Sequence, residues 1–201
     1  EEGEEEEEGS GAAHRAGVAK LGAASLWLRS RLRAPGTDGA KLVVFAHHRR
    51  VMAGLQRCLH VARVDHVRID GGTPMRERRR LVARLHDEAN VRVALVSVTA
   101  AGLGIDLSAA SHAVFAELPP DASWLAQAEA RLHRYGQSCA VNATLLVAAA
   151  DADAPAAWRA AAAYDARHVA RLKASERAVR RVHDGPGWAA AGAAGGAAGG
   201  A

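Results

Sequence analysis

Three short apolar runs constrain the fold more than anything else in this chain: KLVVFAH at 41–47, VRVALVS at 91–97 and HAVFAE at 112–117. They are nearly continuous rather than alternating, which marks strands buried on both faces, as in a parallel sheet. Weaker strand signals lie at 64–70 and 141–147. Helical patterns separate them. Residues 15–33 carry Val18, Leu21, Leu26 and Leu28 among basic residues, 50–60 follows the first strand, and 123–135 and 155–173 follow the later ones. Between 73 and 88 the stripe is Leu81, Val82 and Leu85, with Thr73 placed as N-cap and Pro74 at the first helical position. Strands alternating with helices predict an α/β three-layer sandwich with a mostly parallel sheet. Ligands of such folds gather at the carboxyl ends of the strands, so function is expected in the loops after residues 47, 70, 97 and 117.

The 201 residues suffice for one domain with a sizeable core. Residues 1–12 read as an acidic disordered tail, 13–180 as the folded lobe with lead-in and closing helices, and 181–201 as a flexible Gly/Ala-rich tail. The net charge of +4 conceals seven glutamates among the first ten residues, so the remainder is strongly basic. Such a body fits a polyanionic partner such as nucleic acid; arginine-rich decoration of a solvated surface explains the charge equally well. Two cysteines, Cys58 and Cys139, form no disulfide framework and fit an intracellular protein. No apolar run approaches a membrane span, and no histidine sits in a zinc-binding spacing, so neither a membrane nor a structural metal is expected.

The segment with the most chemistry is QAEARLHRYGQ, 127–137. On a helix Gln127, Arg131 and Arg134 are spaced i, i+4, i+7 and share a face, while Leu125, Ala128 and Leu132 fall on another that would pack on the sheet. Neighbouring arginines repel mildly unless an anion lies between them, and the guanidinium fork matches phosphate oxygens. Spacing alone describes an ordinary helix with surface arginines at least as well.

The string itself resembles the sixth motif of Swi/Snf-type DNA translocases: glutamine-alanine, then arginine, then histidine-arginine-x-glycine-glutamine. Other stretches are similar to that family's motifs in the same order. KLVVFAHH at 41–48 resembles the fourth motif, RIDGGTP at 68–74 the strand-turn-helix where glycines permit tight backbone geometry, and VSVTAAGLGIDL at 96–107 the fifth motif. Phe115-Ala116-Glu117 matches the strand before the sixth motif, and Ala19-Lys20-Leu21 the lead-in helix. The similarity spans roughly 18–172, and VFAHH, RIDGGTP and VFAEL together resemble the annealing-helicase branch, which rewinds DNA and remodels stalled replication forks. The resemblance implies a RecA-like fold and a nuclear protein that binds DNA without regard to sequence. It implies arginine fingers at Arg131 and Arg134, nucleotide contacts at Gly104, Asp106 and Gln127, and DNA contacts at His47, His48, Gly71, Gly72, Thr99, Ala100 and Gly102. ATP and Mg2+ would be bound mainly by a first lobe that these residues do not include.

The chain departs from the pattern in places. Ile105-Asp106 replaces the usual leucine-asparagine or leucine-threonine, and Gly104-Ile105-Asp106 resembles instead the glycine-x-aspartate of DEAD-box relatives, whose aspartate contacts ribose. Asp106 could do that or cap the next turn, and the cap is favoured. Ala130, Tyr135 and Pro119-Pro120 also differ from the common residues. Gly102-x-Gly104 is a poor dinucleotide fingerprint, since Leu107 stands where the third glycine belongs. Arg76, Arg78, Arg79, Arg80 and Arg84 crowd one helix and read as a solvated face rather than a nucleic-acid contact or a nuclear-import signal, which a segment inside the fold suits poorly. No G-x-x-x-x-G-K-[ST] phosphate loop occurs, and no acidic pair is placed to hold magnesium. The expectation is half of a motor, unable to hydrolyse ATP by itself; the alternative is a non-catalytic module that keeps the fold and binds nucleic acid or protein.

Overall fold

A computed structural model describes residues 2–34, 39–102, 104–134, 137 and 139–183. The chain runs α1 (Glu2–Arg33), β1 (Leu42–Ala46), α2 (Arg49–Val61), β2 (Asp65–Ile69), α3 (Met75–Asp87), β3 (Val91–Ser97), the short α4 (Val98–Ala101), β4 (His112–Phe115), α5 (Ala122–Leu132), β5 (Asn142–Leu145) and α6 (Ala156–His183). The five strands form one sheet in the order β2-β3-β1-β4-β5, and every pairing is parallel. The strands with the strongest apolar runs, β1, β3 and β4, are the central three, each with a hydrogen-bonded strand on either side. β1 is buried along its whole length, whereas β5 at the edge begins with two exposed residues.

The sheet divides the core in two. One side gathers Val43, Phe45, Val96 and Phe115 with Leu85 of α3 and Ala128 and Leu132 of α5. The other gathers Leu42, Val44, Leu95 and Val114 with Leu28 of α1 and Val51, Met52, Leu55 and Leu59 of α2. The 3.6-residue period of α2 is what turns those four side chains inward. α6 packs along α1 and touches α5. This is the three-layer sandwich with a parallel sheet that the alternation predicts, and the RecA-like arrangement that the resemblance implies.

Several local expectations need correction. Where a disordered tail is expected over 1–12, α1 is continuous from Glu2. Glutamate is an adequate helix former, and negative charge suits a helix N-terminus. Leu26 is exposed, and Leu28 and Leu32 carry the stripe instead. Thr73 is not the cap of α3. Pro74 takes that position with no side-chain cap, while the Thr73 hydroxyl accepts the Asp70 N–H at 3.0 Å. Gly71 and Gly72 do not have positive φ, so a left-handed turn does not explain them; among the described glycines positive φ occurs at Gly39 and Gly104. Arg78 is not solvated. It is buried and donates to the carbonyls of Thr73 (3.0 Å) and Asp70 (3.4 Å), pinning the β2–α3 turn. The proposed tail beyond residue 183 lies outside the described residues.

Candidate functional site

The end of β1 is organised by a buried carboxylate. Glu117, two residues past β4, accepts the backbone N–H groups of His47 (2.7 Å) and His48 (2.9 Å) with one oxygen and meets His48 Nδ1 at 2.6 Å with the other. The two strand ends are thereby fastened together. Partial desolvation of the ring and the neighbouring His48 hold the His47 imidazole below its usual pKa of 6.5, against an opposing pull from Glu117. His47 is exposed and His48 half-buried. Gly17 of α1 makes room for the arrangement, since a Cβ there would overlap the Glu117 carboxylate.

Beyond β3 the Ser97 hydroxyl caps α4 by accepting the Ala100 N–H at 3.1 Å and lies 3.2 Å from the Thr99 hydroxyl. Thr99 is exposed and faces the Gly71 turn. Ala100 is buried with its N–H already taken, so it offers no direct contact to a ligand, in contrast to the expectation. Gly102 and Gly104 are exposed, and Gly104 at φ +77° has a backbone that only glycine adopts readily.

The sixth-motif segment differs most from the sequence reading. α5 stops at Leu132, and His133 leaves helical geometry at φ −85°, ψ 80°. Arg134 therefore lies past the helix and does not share a helical face with Gln127 and Arg131. The cause is tertiary: the Gln137 side chain donates to the carbonyls of Ser108 and Ala110, both at 3.0 Å, and draws the chain away before another turn can form. The Arg131 carbonyl accepts the Leu107 N–H at 3.0 Å, fixing the helix end to the same loop. Arg134 is exposed and lies 3.8 Å from Asp106, whose other oxygen accepts the N–H (3.0 Å) and hydroxyl (2.7 Å) of Ser108 and stands 3.9 Å from His86. Burial works to raise the Asp106 pKa, but the Ser108 hydrogen bonds and the charges of His86 and Arg134 outweigh it, and the carboxyl is held below the ordinary range. Asp106 thus caps its turn, as favoured, and also pairs with an arginine. Gln127 is exposed on α5. Tyr135 and Gly136 lie outside the described residues.

The candidate residues form two groups. His47, His48, Gly71, Gly72, Thr99 and Gly102 follow the carboxyl ends of β1, β2 and β3. Arg131, Arg134 and Asp106 adjoin residues 107–111, which lead into the first residue of β4, and so sit at the opposite, amino end of the sheet. The rule that ligands gather at carboxyl ends located the first group but not the second. Sequence reasoning also missed Glu117 as the organiser of the β1 end; an acid directly after an apolar strand was the available signal.

Residues 28–136 match the model of the helicase conserved C-terminal domain. The chain belongs to this family. It is 39% identical over 131 residues to the mouse DNA annealing helicase and endonuclease ZRANB3, which covers 65% of this chain and 12% of that protein. It is 38% identical over 137 residues to the Caenorhabditis elegans homolog of the SWI/SNF-related matrix-associated actin-dependent regulator of chromatin subfamily A-like protein 1, covering 68% and 20%. The chain thus spans a fifth or less of these two relatives. Among solved structures it is similar to the C-terminal part of the Fun30 ATPase domain, with a TM-score of 0.57 and 26% identity over 60% of this chain and 39% of that one. The Escherichia coli DEAD-box protein SrmB, at a TM-score of 0.54 and 23% identity over 63% of this chain and 71% of that one, shares the fold. This helicase C-terminal domain is therefore of the Swi/Snf-related kind.

Proposed function

We propose that this domain is the second motor lobe of a nuclear, DNA-dependent ATPase that rewinds DNA at replication forks. The reading holds that a first lobe binds ATP and Mg2+ and that this lobe completes the site. The observation that carries it is the exposed Arg134 beside the half-buried Arg131 at the amino end of the sheet, held against the 106–110 loop. When bound, ATP supplies the phosphoryl group whose charge grows in the transition state. Planar guanidinium forks suit those oxygens, whereas the described residues contain no group of His, Cys, Asp and Glu placed to hold a metal. Asp106 orients Arg134 until phosphate oxygens compete for it, and Gly104 and Gln127 border the nucleotide. At the other end of the sheet the exposed turns bearing His47, Gly71, Gly72 and Thr99 bind the sugar-phosphate backbone, so recognition is independent of sequence.

The test joins this domain to the first lobe of a close relative and measures steady-state ATPase with saturating DNA. Arg134→Ala and Arg131→Ala are each expected to lower turnover by about 10³–10⁵, the value of an arginine finger, and lysine is expected to restore little because it lacks the fork. Wild-type turnover in both alanine variants would exclude the finger assignment and favour reading both as ordinary surface arginines.

A further inference from the structure

The β1 end opens into a basic groove that the motif resemblance does not cover. A cleft of about 430 Å³ lies where α1, the start of α2 and α6 meet. Its floor is built of small residues such as Ala16 and Ala161, and Arg15, Arg50 and Arg167, one from each helix, stand around it with His14. A second cleft of about 490 Å³ shares His14 and Arg50 and continues to His48 and Arg49. The two form one groove from the strand end to the α1–α6 seam.

Three features give this groove its chemistry. Arg15, Arg49, Arg50 and Arg167 are exposed, and none of them has an ion-pair partner among the described residues. Two acids near the groove are already committed: Asp165 is buried against Lys20 at 2.8 Å and Glu117 against His48. Finally, α2 begins with two arginines, has no acidic residue in its first turn and has no side-chain cap. Cations at a helix N-terminus oppose the macrodipole, so the arrangement is unfavourable until an anion joins it.

We infer that this groove holds phosphates of the DNA backbone, carrying the bound strand from the β1 end across Arg50 to Arg15 and Arg167 on the flanking helices. The inference rests on the reading of the β1 end as a DNA contact and extends it to residues outside the helicase motifs. Arginine serves here through its fork and charge, so the contact carries no sequence information.

Fluorescence anisotropy with a labelled duplex and the full 201-residue chain tests it. The double variant R15E/R167E is expected to lose affinity at least about tenfold and to flatten the dependence of log K on log salt by about two units, one per lost phosphate contact. R76E/R79E makes the same charge change on α3 and is expected to lose less than about threefold, the residual effect of net charge alone. Equal losses in both variants would overturn the groove. So would wild-type binding by R15E/R167E while Thr99→Glu fails; that pattern leaves the DNA reading standing, whereas failure of the wild type to bind duplex removes both. Pyrophosphate titration by calorimetry separates the sources: heat that vanishes in R15E/R167E while duplex binding is unchanged identifies a free phosphate ligand and overturns the DNA assignment. Should charge reversal lower the melting temperature, R15Q/R167Q repeats each comparison.

Discussion

Glu117 shows how one side chain can set the geometry of a whole loop. Its carboxylate is buried and accepts two backbone N–H groups that have no strand partner beyond Ala46. Glu117→Ala is expected to cost about 2–4 kcal/mol in urea unfolding, because each donor left unsatisfied costs about 1–3 kcal/mol and water recovers part of that. Gly17→Ala approaches the same carboxylate from α1 and is expected to cost about 1–3 kcal/mol, as overpacking does; a melting temperature unchanged by it would show that Glu117 can shift freely. His47 and His112 extend the residue scale to pH. Both imidazoles are held below 6.5, chiefly by burial, helped by His48 in one case and Arg31 in the other. A lowered histidine pKa means the folded state resists a proton that the unfolded chain accepts. Stability should therefore be fully present above about pH 6.5 and fall as the pH drops below it toward the depressed values. NMR titration should find both rings titrating below 6.5, and an unshifted His112 would contradict the burial argument.

At the scale of elements, the long helices α1 and α6 are locked by a buried ion pair. Lys20 Nζ lies 2.8 Å from Asp165 and donates to the Leu146 carbonyl at 2.9 Å, while Asp165 also accepts the Ala148 N–H at 2.8 Å. Removing one partner strands a buried charge, so Lys20→Met and Asp165→Leu should each cost about 3–5 kcal/mol, and the double variant clearly less than their sum. Additive losses by chemical denaturation would mean that the pair is not coupled. None of this was legible in the sequence, where the two residues lie far apart and a lysine on an alanine-rich helix reads as surface. The strands were legible because burial on both faces leaves an unbroken apolar run, and β3 falls on the predicted residues. The end of α5 was not, because Gln137 terminates it through carbonyls of a distant loop rather than through a local glycine or proline.

For the whole molecule, the alternation of strand and helix fixed the layers, and the ordered motifs located the β1 and β3 ends. The grouping of site residues at two ends needed the structure, since motif order along a chain says nothing of which end of a sheet each motif reaches. On the proposed reading, the 201-residue chain alone hydrolyses no ATP, because the sequence has no phosphate loop. It should bind duplex and single strands weakly, at about 10⁻⁴–10⁻⁶ M at physiological salt, with affinity falling steeply as salt rises. DNA-stimulated turnover by this chain, or affinity indifferent to salt, would refute that reading.

The separation of Asp106 and Arg134 from Thr99 and His47 has a mechanical meaning. The two groups are joined through β1, β3 and β4, whose five or so residues span roughly 16 Å at about 3.3 Å per residue. These central strands resist bending and shear, because each is hydrogen-bonded to a neighbour on either side and packed in the core. A small tilt imposed where an arginine is drawn toward a nucleotide would reach the far loops undiminished, as it does along a rigid beam. The domain would then move as one piece over its track, with no signal relayed side chain by side chain.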